Sequence, residues 1–465
     1  MPDAFALTML SPLALVPVIL LAIARPGKRP GALPRLAELS ALAALALAIA
    51  GLVQSAFAAT APGAVAVLEA PFTLALRSDL VAASMGALVG FIGWIVMRYS
   101  RTYCDGEARE GAFHGLMLTA LAAVLVFVQA GTLPTLILAA AAVGLALRKL
   151  LLFYPDRPEA QRAATKFALV WHTGDAMLAL AAALLAARFG TLDLAALPEA
   201  AAAQGLGLAG TLAIAAVVAA AALKTAAFPL HGWLTEVMEA PTPVSALLHA
   251  GIINSGGVLL ITAAGLVQQS TGAMAALVMI GGFTALFGAA VMLTQSAIKT
   301  ALAWSTVSQM GFMLLQCGLG LWTLALLHII AHSLYKAHAF LSSGGAVAEV
   351  ASIRRPGPIA VPSVPAVLKS FALALGIFAA IAAVFTTLFG PKTPQALALG
   401  AILIFGVAYL VAQGLAGRAP AALTTRTITA ALAAAIGYFS FQTLAQAIWG
   451  PLLPPAPMPT ELEWA

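Results

Sequence analysis

Charged residues are scarce in this sequence, since aspartate, glutamate, lysine and arginine together make up 9% of its 465 residues. A soluble domain carries about 25% charged residues, so this composition excludes an ordinary soluble globular protein. Only two cysteines occur, and we expect no disulfide between them, because Cys104 falls in a loop predicted to be cytoplasmic and Cys317 lies near a helix end. The sequence also lacks a Walker A motif, a CxxC pair and a nucleophile elbow, which are common signatures of enzymes.

Hydrophobic residues make up 62% of the chain, and its mean hydropathy is +1.01. The apolar runs are near twenty residues long, enough to cross about 30 Å of hydrocarbon as helices. Alanine and leucine dominate these runs, which favours helices over a β-barrel. The pattern therefore predicts an all-α integral membrane protein with about fourteen transmembrane helices. They lie near 6–24, 36–57, 79–97, 112–130, 132–153, 164–187, 207–228, 242–266, 273–293, 298–317, 321–342, 364–389, 394–412 and 426–449.

Lysines and arginines are distributed unevenly over the predicted loops. Sixteen of them fall in loops or helix ends on one side, whereas only Arg77, Arg188 and Lys392 fall on the other. Because cytoplasmic loops carry the excess of positive charge, we expect a multi-pass protein of the bacterial cytoplasmic (inner) membrane with both termini outside. Residues 1–450 are predicted to form a single polytopic membrane domain, followed by a short proline-rich tail over 451–465.

Residues 223–257 place several ionisable side chains in an otherwise apolar region, which reads LKTAAFPLHGWLTEVMEAPTPVSALLHAGIINSGG. These side chains are Lys224, His231, Glu236, Glu239 and His249. An ionisable residue at bilayer depth is costly, and its default interpretation is functional. Pro229, Pro241 and Pro243 interrupt the helical pattern, and a broken helix is tolerated in a membrane only where its free backbone lines a cavity or packs inside protein. The segment therefore predicts part of an ion path.

Lys224 has a candidate partner in Asp175, on the predicted span 164–187. Burial lets a lysine release its proton near neutral pH, and a nearby carboxylate opposes that release. Movement of the carboxylate, or of its proton, would then gate the lysine. The alternative is a static ion pair that locks two helices together.

A second group of ionisable residues lies in the segment ALLHIIAHSLYKAHAF. His328, His332 and Lys336 follow one another at a spacing of four residues, so they stack on one helix face, where histidines can relay protons. The alternatives are histidines that bond to neighbouring carbonyls, and a zinc site for which no third ligand is evident. Lys299 opens IKTALAWSTVSQMGF, whose hydroxyl and amide side chains can either hold water beside the lysine or join helices.

Three segments resemble the antiporter-like proton-translocating subunits of respiratory complex I and of Mrp-type cation/proton antiporters. They are LKTAAFPLHGWLTEVMEAPTPVSALLHAG, IKTALAWSTVSQMGFM and HIIAHSLYKAHAFL. The resemblance implies two inverted repeats of five helices, each with a broken helix, in a core over about 112–412. It also implies roles in ion translocation for Lys224, Lys299, Lys336, His332 and Asp175.

One departure from this family bears on the mechanism. The family places a glutamate in a Trp-Glu-x-Val-Gly-Leu stretch, as the partner of the lysine in the first broken helix. Val143, Gly144 and Leu145 are recognisable here, but Ala141 stands where the glutamate would be. The ordinary gating of an antiporter is therefore not expected.

The segments HGWLTEVMEAPTPVSALLHAGIINSGG and LRKLLLFYPDRP are most similar to the membrane subunit of DAB-type inorganic carbon uptake systems. That resemblance implies a two-component complex in which this chain conducts cations, either protons or sodium ions, with protons expected. A large peripheral zinc-containing partner similar to a β-carbonic anhydrase would hydrate CO2 to bicarbonate. This chain itself would be no enzyme, hold no cofactor and contact the lipid bilayer but no nucleic acid. Two alternatives stay open: a cation/proton antiporter or respiratory proton-pumping subunit, and a passive membrane anchor for a soluble enzyme.

Overall fold

Long runs of alanine and leucine, which have high helix propensity, fold as the helices that dominate the structure. The structure is a computed structural model that describes residues 6–57, 63–68, 73–344, 363–402 and 421–457. The first helices are α1 (Val16–Ala24), α2 (Leu33–Phe57), α3 (Leu80–Tyr103), α4 (Glu110–Val128), α5 (Leu133–Leu151), α6 (Pro158–Phe189), α7 (Leu197–Gln204) and α8 (Gly207–Lys224). They are followed by α9 (Gly232–Glu236), α10 (Thr242–Ala250), α11 (Ser255–Thr262), α12 (Ala264–Val267), α13 (Thr271–Met292), α14 (Ile298–Gly318) and α15 (Trp322–Ser342). Farther along the chain lie α16 (Val364–Phe389), a helical stretch over 394–402, and α17 (Ala421–Trp449).

Twelve helical segments in the described part of the chain are long and apolar enough to cross a membrane. They correspond to twelve of the fourteen predicted spans. The predicted span 298–317 is observed as helix α14, but its polar residues set it apart from the twelve. The predicted span 394–412 is helical as far as residue 402, and its remainder lies outside the described residues. The predicted all-α membrane fold is confirmed.

A short antiparallel hairpin is absent from the sequence prediction. Its strands are β1 (Gly63–Leu68) and β2 (Leu74–Ser78), and the register sets Gly63 opposite Ser78. Short apolar runs of this length fit a helix or a strand about equally well by pattern. Pairing between the two runs decides in favour of strands, and that pairing is not visible in either run alone.

The helical structure is interrupted between α8 and α10. Helix α8 ends at Lys224, and Pro229 lies in the turns that precede α9. Helix α10 starts after Pro241 with Pro243 in its first turn, where the missing N–H of a proline costs no helical hydrogen bond. The next predicted span is itself divided, because a 3-10 turn at Ile252–Asn254 separates α10 from α11. Two breaks in succession therefore lie between Lys224 and α11.

Helices α10 and α11 are enclosed by other helices rather than by lipid. Within the segment Thr242–Thr262, 94% of the residues in an apolar stretch of 18 residues are buried. Helix α11 approaches α8 closely, because a Cβ atom at Gly256 would lie 2.4 Å from the carbonyl oxygen of Ala221. Polar side chains on α10 and α11 therefore face neighbouring helices, and only protein groups or water can satisfy them.

Contacts between Cα atoms divide the chain into two units. The first comprises Met1–Ala346 with Leu452–Ala465, and the second comprises Val347–Pro451. The start of the predicted tail belongs to the first unit, where Nε2 of Gln268 donates to the carbonyl of Pro455 at 2.8 Å. The predicted single polytopic domain over 1–450 stays a prediction.

The second unit is held together by aromatic contacts between α16 and α17. Phe439 of α17 stacks on Phe378 and Phe385 of α16, with ring centroids 5.3 and 5.5 Å apart. All the predicted site residues fall in the first unit, which therefore contains the candidate ion path.

Candidate ion path

Lys224 closes the last turn of α8 and is fully buried, with 0% of its surface exposed. Its Nζ donates to Oδ1 of Asp175, on α6, at 2.6 Å. The same Nζ lies 4.0 Å from the ring centroid of Trp171, which is a cation–π contact. The structure thus brings the predicted partners Lys224 and Asp175 together, in a geometry that suits both a gate and a static lock.

Asp175 shares its carboxylate between two nitrogen groups. Oδ1 accepts from Lys224, and Oδ2 lies 2.8 Å from Nδ1 of His172, one turn earlier on α6. The sequence analysis missed His172 and Trp171, although WHTGD places both within about one turn of Asp175. A histidine three residues before a buried acid faces the same side of a helix, and this spacing is the signal that identifies it.

Helix α5 faces α6 with small residues. Nε1 of Trp171 donates to the carbonyl of Ala140 at 2.9 Å. A Cβ atom at Gly144 would lie 2.4 Å from Cδ1 of Trp171, so only glycine fits without a shift of the buried ring. Ala141 lies between these two positions, and its methyl side chain cannot accept a hydrogen bond. The carboxylate that faces Lys224 is therefore supplied by α6 rather than by α5.

His328, His332 and Lys336 lie along α15. Nδ1 of His328 lies 2.8 Å from Oε1 of Gln316 on α14, and the rings of His328 and His332 are 6.0 Å apart. Nε2 of His332 donates to the backbone carbonyl of His249 at 3.2 Å. Within the described residues no third histidine, cysteine or acid joins the two histidines to hold a metal. Gln316 was not foreseen from the sequence, because its contact with α15 depends on how two helices pack.

Lys336 is also fully buried, and oxygen atoms of α14 hold it. Its Nζ donates to the carbonyl of Leu302 at 2.8 Å and to Oγ of Ser305 at 2.5 Å. Across the described part of the chain, no carboxylate forms a salt bridge with this lysine. Neutral acceptors support a buried ammonium less well than a carboxylate does, which makes Lys336 a candidate for proton release.

His249 and Asn254 connect the enclosed α10–α11 region to α14 and α15. Nδ1 of His249 lies 3.0 Å from Oγ1 of Thr306, and the imidazole stacks on Phe340 with ring centroids 4.3 Å apart. Nδ2 of Asn254 donates to Oγ of Ser333 at 2.9 Å. Together with the α15 side chains, these residues form one buried polar cluster, which we call the central cluster. Its members are His249, Asn254, Ser305, Thr306, His328, His332, Ser333 and Lys336.

Several buried polar atoms in and beside the central cluster have no hydrogen-bond partner among the described residues. They are Nε2 of His249, Oδ1 of Asn254, Oγ of Ser255 and Nε2 of His328. Buried polar atoms are normally satisfied, and ordered water is the usual partner where protein is not. Ordered water at these atoms would let a proton pass between the histidine and lysine side chains, so the arrangement is suited to proton transfer.

Lys299 and Glu236 were predicted as site residues, and neither contacts a buried lysine through a hydrogen bond in the described part of the chain. Lys299 is half-buried in the first turn of α14. Glu236 pairs with Lys166 of α6, and its side chain is 35% exposed. The side chain of Glu239 lies outside the described residues.

Cys104 and Cys317 are both free and buried, as expected for two thiols that form no disulfide. Cys104 lies in the loop after α3, where burial, followed by the charges of Glu107 and Glu110, raises the pKa of the thiol to about 12. A thiol with such a pKa stays protonated and unreactive at neutral pH. The cysteines therefore contribute to packing and not to chemistry.

Comparison with known protein families identifies the family to which this chain belongs. The family model "NADH:quinone oxidoreductase/Mrp antiporter, TM" matches residues 130–412, which is more than half of the chain. The chain belongs to this antiporter family. The matched range includes both buried lysines, the helix interruption and the central cluster, and it confirms the family resemblance seen in the three sequence segments.

Similar members of the antiporter family include inorganic carbon transporter subunits. The chain is 43% identical over 301 residues to probable inorganic carbon transporter subunit DabB2 of Halothiobacillus neapolitanus, which covers 64% of this chain and 55% of the relative. It is 42% identical over 287 residues to probable inorganic carbon transporter subunit DabB of Hydrogenovibrio crunogenus. That match covers 60% of this chain and 54% of the relative. It is 34% identical over 305 residues to NADH-quinone oxidoreductase subunit L of Mycobacterium tuberculosis. That match covers 64% of this chain and 48% of the relative. The chain spans about half the length of the curated relatives it matches.

Two solved structures share the fold of this antiporter-family chain. One is the Mrp complex from Dietzia sp. DQ12-45-1b, with a TM-score of 0.66 at 24% identity, covering 94% of this chain and 52% of that chain. The other is the membrane-bound sulfane sulfur reductase, an archaeal respiratory membrane complex, with a TM-score of 0.69 at 18% identity. That match covers 95% of this chain and 96% of that chain. At these identities the likeness establishes the fold alone.

Proposed function

We propose that this chain is the cation-conducting, energy-coupling membrane subunit of an inorganic carbon uptake complex. The observation that supports this most is the higher identity to DabB2, 43% over 301 residues, than to respiratory subunit L, 34% over 305 residues. The two alignments have nearly the same length, so the difference does not come from coverage. Ion conduction is supported by two fully buried lysines in helices that cross the membrane.

The proposed ion is the proton. Lysine, histidine and aspartate side chains line the path, and each of them can gain or lose a proton. A sodium ion would need oxygen ligands that are free of another cation, whereas Nζ of Lys336 already holds the oxygens of Leu302 and Ser305. In this proposal, protonation of Asp175 weakens its ion pair with Lys224, and the change in charge alters the electrostatic potential at the central cluster.

The carbon chemistry is assigned to a partner. A large peripheral subunit that contains zinc and resembles a β-carbonic anhydrase would hydrate CO2 to bicarbonate and a proton. Proton movement through this chain would drive that hydration in one direction. The chain would supply no catalytic residue, and the partner would bind on the cytoplasmic side of the bacterial inner membrane, with both termini of this chain outside.

Purification of the full chain from native membranes in a mild detergent tests this proposal. We expect one large peripheral protein to accompany it in fixed ratio, identified by mass spectrometry, with zinc measured by elemental analysis of the same fraction. The chain carries an affinity tag for this purification, and membranes from cells with the untagged chain are the control. Recovery of the chain without any such protein would contradict the proposal.

The second candidate is a subunit of a cation/proton antiporter or respiratory proton pump, favoured by the 34% identity to subunit L. It predicts a set of small hydrophobic subunits in the same purification. Ala141 in place of the family's glutamate counts against it. A passive anchor is disfavoured by Lys336, since an anchor gains nothing from a buried ammonium without a carboxylate.

A further inference from the structure

His172 connects the buried pair of Lys224 and Asp175 to the surface of the helix bundle. Lys224 is 0% exposed, the Asp175 side chain is 12% exposed, and the His172 side chain is 37% exposed. Exposure therefore increases along a row of three side chains, joined by contacts of 2.6 and 2.8 Å. The other ring against the lysine, that of Trp171, has an indole N–H that donates and cannot accept a proton.

The row lies well inside a membrane span. Helix α6 runs from Pro158 to Phe189, and His172 and Asp175 lie near its middle. An uncovered polar atom at this depth is costly in lipid, so a half-exposed imidazole calls for a reason. A static lock between Lys224 and Asp175 would be served better by a buried hydroxyl than by a half-exposed side chain that can carry a proton on either ring nitrogen. Proton uptake by this ring, from water that reaches it in the assembled complex, gives that reason.

We propose that His172 is the proton-exchange residue of the Lys224 site, taking up protons at Nε2 and delivering them to Asp175 from Nδ1. The inference rests on the proposed proton conduction. It also explains how the site works with Ala141 at the family's glutamate position, because the proton reaches the lysine through α6 instead of α5. A Cβ atom at Gly144 would lie 3.0 Å from Cε1 of His172, so the glycine on α5 leaves room for this ring.

The steps balance as follows. An imidazole with a proton on Nδ1 binds a second proton at Nε2, and the Nδ1 proton then passes to Oδ2 of Asp175. The neutral carboxyl no longer holds the ammonium of Lys224, which releases one proton to water inside the bundle. The carboxyl group then turns so that its protonated oxygen faces Lys224, and the proton passes to the amine, which restores the ion pair seen at 2.6 Å. The imidazole returns to its first tautomer by exchange with water, and one proton has crossed.

Few charged groups face His172. Asp175 on its own helix contacts it directly, and Lys224 on α8 lies behind Asp175. Helix α5 faces it with Gly144, and Glu236 of α9 is held by Lys166, nearly two turns away. The pH dependence of flux through this site is therefore set by the row itself.

The test compares His172→Gln with His338→Gln in the complete native complex reconstituted into liposomes. Glutamine keeps an N–H donor but cannot titrate, and His338 is an exposed histidine on α15 outside the central cluster. Proton flux is measured with a pH-sensitive dye inside the liposomes under an imposed membrane potential. We expect His172→Gln to lower the flux about a hundredfold and to flatten its dependence on pH. His338→Gln should match the wild type.

Wild-type flux and an unchanged pH profile in His172→Gln would overturn this inference and leave the proposed function standing. A wild-type complex that conducts no protons would overturn both. If His172→Gln fails to assemble, diethyl pyrocarbonate applied to the wild-type complex replaces it as the test. We expect modification of His172, located by peptide mass spectrometry, in parallel with loss of flux, and unmodified His332. Loss of flux with His172 unmodified would overturn the inference.

Discussion

At the scale of single residues, two fully buried lysines have different surroundings. Lys224 has a carboxylate at 2.6 Å and an aromatic ring at 4.0 Å, both of which support its positive charge. Lys336 has a carbonyl and a hydroxyl as acceptors. Since each protonation state must be reachable during transport, a residue with a weakly supported charge is suited to exchange, and one with a carboxylate is suited to gating.

Substitution of Lys336 by methionine tests the exchange role. The side chain keeps its length and loses its charge, so we expect proton flux and carbon uptake to fall about a hundredfold. Assembly should be intact, since an apolar side chain replaces a costly buried ammonium. The measurements are flux in liposomes and the thermal unfolding temperature in detergent.

Lys369→Met is the matched control for this experiment, because Lys369 is an exposed lysine near the start of α16. It should leave both flux and unfolding temperature unchanged. Full flux in Lys336→Met would show that the proton bypasses the central cluster.

At the scale of helices, the Lys224 site depends on how closely α5 packs against α6. Trp171 fits between them because its indole N–H reaches the carbonyl of Ala140 and because Gly144 has no side chain. The same ring lies against Lys224. Packing of small residues between helices is a general means of close approach in membranes, and here it positions an ion site.

Substitution of Gly144 by alanine tests that packing. The new methyl group would lie 2.4 Å from Cδ1 of a buried tryptophan, so the ring must shift away from its contacts. We expect a loss of about 1–3 kcal/mol in the free energy of unfolding, seen as a lower thermal midpoint in detergent. Proton flux should fall as well, because the ring supports Lys224.

The control for this substitution is Gly282→Ala on α13, where an added Cβ would meet nothing within 4 Å. Alanine has the higher helix propensity, so this variant should be as stable as the wild type or slightly more so. Equal thermal midpoints for the two variants would contradict the packing argument.

At the scale of the whole molecule, the described part of the chain is a membrane protein with twelve apolar spans and a polar interior along part of them. Buried ionisable groups are costly in a membrane and are retained where they serve transport. In the function proposed above, a proton gradient across this chain drives the uptake of inorganic carbon. Carbon uptake by intact cells should therefore depend on the gradient.

Addition of a protonophore to cells that depend on this complex tests that dependence. We expect uptake of radiolabelled inorganic carbon to stop, because the gradient that drives it has collapsed. A sodium-selective ionophore at a matched dose serves as the control and should have little effect. Uptake that resists both agents would support a passive anchor, and uptake that stops with the sodium ionophore alone would assign sodium as the ion.

Much of this protein was determined by the sequence itself. Hydropathy and helix propensity act within single segments, so the membrane class, the helices and the interruption after Lys224 could be predicted residue by residue. The spacing of His328, His332 and Lys336 likewise places them along one helix.

Only the tertiary structure decided which of these residues meet. Asp175 could be named as a candidate partner of Lys224 across 49 residues of sequence, but their contact depends on packing. His249 and Thr306 are 57 residues apart, and no local pattern indicates their contact. The β-hairpin, the role of Gln316 and the row that begins at His172 all arise from packing between distant segments. Burial, and with it the chemistry of each ionisable group, is a property of that packing and not of the segment that carries the residue.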